Sequence, residues 1–101
     1  MAQITEEQVE RVREIVASVP VGTVTTYGDV AAAAGLSSAR IVGWIMRTDS
    51  ADLPWHRVIA VSGKPAPHLR TTQLENLRAE GVPVFDDRVD MKVARVDLDE
   101  V

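Results

Sequence analysis

Residues 26–47, TYGDVAAAAGLSSARIVGWIMR, decide the fold. Thr26 is a helix-capping residue, and Asp29 stands three positions later, where its carboxylate answers the cap. Val30 to Ala34 continue as a short helix, and Gly35 supplies the residue that closes it. Ser37 or Ser38 caps a second helix over about Ser38 to Arg47, with Ile41, Val42, Ile45 and Met46 grouped at helical spacing. Two such helices joined by Gly35-Leu36-Ser37 read as a helix-turn-helix. The run Ala31 to Ala34 lets them approach closely.

Upstream, Thr5-Glu6-Glu7-Gln8 has the capping-box pattern, and Val9, Val12, Ile15, Val16 and Val19 follow at helical spacing until Pro20 and Gly22. Val21 to Thr25 is β-branched and reads as extended. Downstream, a polar loop over Thr48 to Leu53 ends at Pro54. Val58 to Val61 is a short strand turned by Ser62-Gly63, and Lys64 to Arg70 is a loop. Thr72 to Glu75 repeats the capping box and opens a helix over Leu74, Leu77 and Arg78 that Gly81 closes. Val82 to Val84 and Met91 to Val96 alternate weakly and are expected to pair as strands. The expectation is one domain over 1–101, mixed, mainly α with short β, a winged-helix-like helix-turn-helix domain with residues 96–101 as a flexible acidic tail.

Composition narrows the chemistry. The absence of cysteine excludes disulfides, thiolate zinc sites and a thiol nucleophile. Two histidines set apart make no metal site, so no metal or cofactor is expected. No apolar run approaches a membrane span, and the polar, acidic start is unlike a signal peptide, so the expected location is cytoplasmic, or on the nucleoid if the source is bacterial. The net charge of −4 argues against a nucleic-acid partner, but its distribution argues for one. From Ser37 to Arg70 there are five basic residues (Arg40, Arg47, Arg57, Lys64 and Arg70) against Asp49 and Asp52, so that segment carries +3 and the rest −7. A local positive field suffices to hold a phosphate backbone.

Four blocks in order then carry a resemblance: Val19 to Ala31 (VPVGTVTTYGDVA), Ala39 to Arg47 (ARIVGWIMR), Pro54 to Ile59 (PWHRVI) and Leu77 to Gly81 (LRAEG). Over roughly Ile4 to Val82 the chain resembles the C-terminal domain of the O6-alkylguanine-DNA alkyltransferases. Those enzymes place their acceptor cysteine between the Pro and the His, where this chain has Trp55. That departure is similar to the alkyltransferase-like proteins, which bind alkylated DNA without repairing it. Independently, accepting an alkyl group needs a strong nucleophile, and an indole is not one.

The resemblance implies a non-enzymatic damage sensor, a monomer with no membrane partner, that binds double-stranded DNA containing O6-alkylguanine and flags it for nucleotide excision repair proteins. It implies that the second helix of the pair lies in the minor groove, with Ala39 and Gly43 allowing close approach. Arg40 matches the finger that replaces the extruded guanine, and Tyr27 the residue that promotes flipping. Trp55 would line the pocket, with the carbonyls of Trp55 and Val58 receiving the guanine amine and Arg70 donating from the lesion-binding loop. His56 and Glu80 match a relay that has nothing to activate here, so a structural hydrogen bond is expected. Pro54, His56, Arg57 and Glu80 would support the pocket, with Arg57 either bracing it or reaching a phosphate. The residues alone leave two rivals open: a winged-helix regulator that binds unmodified DNA, and a hydrolase built on His56 with Glu80 or Asp49.

Overall fold

The computed structural model describes residues 4–100. Helix α1 spans Glu6–Ser18, and both halves of the expected capping box form: the Thr5 hydroxyl accepts from the Gln8 N–H, and the Gln8 side chain accepts from the Thr5 N–H. Strand β1 is Thr25–Thr26, helix α2 Tyr27–Ala33 and helix α3 Ala39–Thr48. The α2–α3 turn is a Schellman motif, in which Leu36 N–H donates to Ala31 O at 2.8 Å and Gly35 N–H to Ala32 O at 3.2 Å. That motif needs a left-handed residue, and Gly35 has φ +71°. Ser38, not Ser37, caps α3.

A turn of 3-10 helix over Trp55–Arg57 leads into strand β2, Val58–Ile59. Strands β1 and β2 pair in parallel, Thr25 with Val58 and Thr26 with Ile59. This short ladder divides the core, because adjacent strand residues face opposite ways. Val58 joins Val12, Ile15, Val16, Val30, Ala31, Val42 and Ile45 between α1, α2 and α3. Ile59 joins Val24, Leu74, Leu77, Val82, Val89 and Ala94 on the other side. Helix α4, Arg70–Ala79, supplies Leu74 and Leu77 to that second core.

The C-terminal third departs from the sequence reading. Val84–Phe85 (β3) pairs with Arg88–Val89 (β4), not with residues 91–96. Asp86 and Asp87 make the two-residue turn with φ of 52° and 60°, both left-handed. Aspartate tolerates that region better than most residues, so a tight primed turn forms without glycine. Met91–Ala94 is a short helix, α5, capped by the Asp90 carboxylate. The Thr72–Glu75 box goes unused, because a 3-10 turn over Pro67–Leu69 runs directly into α4 at Arg70. Asp29 does not close the Thr26 box either, since its carboxylate takes two hydrogen bonds from Arg95 at 2.8 and 2.9 Å. Residues 96–100, expected as a flexible tail, are tied down: Val96 N–H donates to Val24 O, and Leu98 packs on the first core. Val101 lies outside the described residues.

The hairpin docks on Gly63. Gly63 has φ +80°, its carbonyl accepts from Val89 N–H at 2.9 Å, and an added Cβ would sit 2.4 Å from the Val89 carbonyl oxygen. The obstacle is backbone, which cannot swing aside. Gly63→Ala should therefore cost about 2–4 kcal/mol of stability. A denaturant midpoint unchanged from wild type would show that β3–β4 is not held there.

Candidate nucleic-acid interface

Helix α3 buries Val42 and Ile45 completely, with Ile41 and Met46 leaning on the same core. Arg40, Trp44 and Arg47 are exposed on the remaining arc, with Gly43 at one edge of it. Ala39, also exposed, opens the helix beside the Ser38 cap. The Arg40 guanidinium forms no ion pair among the described residues. Open space lies above Gly43, where a Cβ would meet nothing within 4 Å.

Beside this arc is a cavity of about 350 Å³ lined by Tyr27, Gly43, Met46, Arg47, Thr48, Ser50, Ala51, Trp55, His68 and Leu69. It brings together Tyr27, Gly43 and Trp55 from three parts of the chain. Burial raises the Tyr27 pKa, against a smaller lowering by Arg47, so the phenol stays neutral and able to donate. The Trp55 ring meets His56 edge to face at 6.1 Å. A larger depression of 540 Å³, lined by Asp29, Arg95, Asp97 and Asp99 among others, is acidic and holds none of the expected site residues.

Behind Trp55 lies a polar clamp. His56 Nε2 is 3.0 Å from Glu80 Oε2, the expected pair. Arg57 donates to the same carboxylate twice, Nε to Oε1 at 2.9 Å and Nη2 to Oε2 at 2.7 Å, and its Nη1 donates to Val19 O at 2.9 Å. Of the two roles open to Arg57, the structure therefore shows bracing, and its side chain, 13% exposed, is already occupied. Gln73, which the sequence reading passed over, is buried and donates from Nε2 to the carbonyls of His56 and Val58 at 3.1 and 2.9 Å. The Val58 carbonyl thus has an internal partner, and Val58 is not among the residues that line the cavity. No local signal points to Gln73, which the sequence presents as one polar position on the helix over Leu74, Leu77 and Arg78.

Arg70 is also placed differently. The 3-10 turn sends His68 and Leu69 into the cavity, while Arg70 begins α4 and faces a separate groove with Lys64, Pro65, Pro67, Asp86, Asp87 and Arg88. His68 and Leu69 line the wall that Arg70 was expected to serve. Within the basic segment, Arg13 of α1 pairs with both carboxylates, Asp49 and Asp52.

Residues 7–82 match the family described as the DNA binding domain of 6-O-methylguanine DNA methyltransferase. The chain belongs to this family. Among its relatives, a "DNA base-flipping protein" of Escherichia coli is 46% identical over 81 residues, covering 74% of this chain and 62% of that protein. The chain thus spans about three-fifths of that relative's length. "Alkyltransferase-like protein 1" of Schizosaccharomyces pombe is 33% identical over 87 residues, covering 79% and 81%. The family likeness extends to solved structures. S. pombe Atl1, in complex with damaged DNA containing O6-carboxymethylguanine, superposes with a TM-score of 0.73 at 32% identity over 82% of this chain and 83% of that one. Mycobacterium tuberculosis OGT in complex with DNA gives 0.64 at 26% identity, over 95% and 56%. The resemblance to alkyltransferase-like proteins and the helix-turn-helix fold are both borne out.

Arg57 chiefly, with His56 adding to it, holds the Glu80 carboxyl at about 2, against 4.5 for a free glutamate. A depressed carboxylate stabilises the fold above its unfolded value and loses that contribution as pH falls towards the folded one. Glu80 should contribute on the order of 3 kcal/mol at neutral pH, fading between about pH 4.5 and pH 2. The stability difference between wild type and Glu80→Gln, followed by urea melts, should shrink across that window. A difference that stays constant down to pH 2 would remove the clamp's ionic character.

Proposed function

We propose that this domain is a DNA damage sensor that holds O6-alkylguanine flipped out of duplex DNA and does not transfer the alkyl group. The observation that carries the reading is the shared cavity: Tyr27, Gly43 and Trp55 meet at one hollow beside α3, with Arg40, free of ion pairs among the described residues, on the same helix. Helix α3 enters the minor groove, Gly43 and Ala39 letting its backbone close on the duplex. Arg40 fills the vacated stack, and Tyr27 crowds the phosphate of the extruded nucleotide. The base lodges against Trp55, with His68 and Leu69 as the far wall. The E. coli relative is named for base flipping, and the S. pombe relative was solved on an O6-alkylated guanine; both support this use of the fold.

Trp55 stands where the resemblance places the enzymes' acceptor cysteine, and the chain has none elsewhere. The methyl group should therefore stay on the DNA. After incubation with O6-methylguanine duplex, intact-protein mass spectrometry should show no methyl gain, and a methylated protein would overturn the non-enzymatic reading. Hand-over to nucleotide excision repair, action as a monomer and a cytoplasmic location belong to the same proposal.

The finger is tested by Arg40→Ala on three ligands: lesion duplex, lesion single strand and plain duplex. Removing guanine from the stack costs a few kcal/mol, part of which Arg40 offsets. Loss of affinity should be largest, on the order of tenfold or more, on lesion duplex, and small on lesion single strand, where no gap opens. Equal losses on all three would make Arg40 an ordinary phosphate contact.

A further inference from the structure

None of the four aromatic residues belongs to the fully buried core. The core is valine, isoleucine, leucine and alanine, although an aromatic ring gains more from burial than any of these. Tyr27 and Trp55 line the cavity. Trp44 lies on α3 itself and is 47% exposed. A single exposed apolar side chain is common on a protein surface, so it is the place of Trp44 on the helix, not its exposure alone, that carries meaning.

Its position indicates what covers it. Residues four apart on a helix lie roughly 40° apart around the axis, so Trp44 stands directly beside Arg40 and one turn along. Gly43, Met46 and Arg47 line the cavity. Trp44 occupies the opposite flank of the exposed arc, past Arg40. If α3 docks in a minor groove with Arg40 directed into the stack, the ring comes against the wall of the groove. That wall is deoxyribose, an apolar surface between two rows of phosphate. Packing an indole there needs no base-specific hydrogen bond, and Arg40 and Arg47 on either side supply the attraction to phosphate.

We infer that Trp44 is a DNA-contacting residue, packing its indole on the deoxyribose rings of the minor-groove wall beside the point where Arg40 enters, and so strengthening binding to any duplex, damaged or not. The inference rests on α3 being the DNA-facing helix, but not on lesion recognition. Because the contact is apolar, it displaces no counterions, which separates it from the contributions of its arginine neighbours.

The experiment is a salt titration of Trp44→Ala and Trp44→Phe against plain duplex and O6-methylguanine duplex, with helix content checked by circular dichroism. Trp44→Ala should weaken both complexes by a similar factor, on the order of tenfold, while the slope of log affinity against log salt stays at the wild-type value. Trp44→Phe should retain most of the affinity. In the Trp55→Phe protein, where Trp44 is the sole tryptophan, saturation with plain duplex should protect its fluorescence from acrylamide. Wild-type affinity in Trp44→Ala on both ligands, or unprotected emission in the saturated complex, would overturn the assignment. A wild-type protein with no lesion preference would defeat the damage-sensor reading, yet an equal loss on plain duplex in Trp44→Ala would still uphold this contact.

Discussion

The Glu80 carboxylate accepts from Arg57 through both oxygens and meets His56 Nε2, while Arg57 also reaches the carbonyl of Val19. Three segments distant in sequence are thereby fixed to one another: the end of α1, the turn that presents Trp55 and the C-terminal cap of α4. Gln73 adds a second attachment about two turns earlier on the same side of α4, through the carbonyls of His56 and Val58. Trp55 itself needs no polar anchor, because the backbone on its C-terminal side is held at each residue through Val58. Charges this poorly hydrated are costly unless each is fully paired, and here the fork of Arg57 matches the carboxylate oxygen for oxygen. By the resemblance, the matching His and Glu of the enzymes serve a thiol. In this chain they set the position of one wall of the cavity.

The helix-turn-helix was legible because its signals are local. Thr5, Thr26 and Ser38 cap the helices expected of them, Gly35 takes the left-handed turn, and Val42 and Ile45 face the core as their spacing requires. The His56–Glu80 pair was legible only through the resemblance, since nothing local links residues 24 apart. The failures share a cause. The Asp86-Asp87 turn uses left-handed aspartates where glycine or asparagine is the usual signal, so the sequence carries no hairpin mark there, and the weak alternation of residues 91–96 suggests a pairing that the structure does not have. Arg70 was assigned by loop position, and whether its side chain falls on one side or the other of the Pro67–Leu69 turn is decided by tertiary packing. Gln73 looks like any polar helix residue until its two buried acceptors are known.

Charge distribution follows the same logic of pairing. Two carboxylates that follow α3, Asp49 at its C-cap and Asp52 in the next loop, are both held by Arg13 of α1. These pairs are solvent-exposed and add little to stability. Their consequence is in the field: the local negative charge is compensated by Arg13, while Arg40 and Arg47 stay free of ion pairs among the described residues. An acidic chain can in this way present a positive face, and net charge alone is a poor guide to its partner.

A residue that replaces a nucleophile also changes what tight binding is worth. For a catalyst, interactions made equally with substrate and transition state do nothing for the chemical step, so a pocket that grips the ground state works against turnover. A sensor has the opposite requirement: its output is the lifetime of the complex, and every ground-state contact lengthens it. On the proposed reading, a large apolar ring at Trp55 is then a gain in function, because it fills the space a reacting sulfur must leave open and packs against the alkyl group. The same reasoning applies to Trp44 on the helix flank. Both indoles add surface that slows dissociation without chemistry, and the polar clamp behind Trp55 ensures that little of that gain is lost to ordering the cavity on binding.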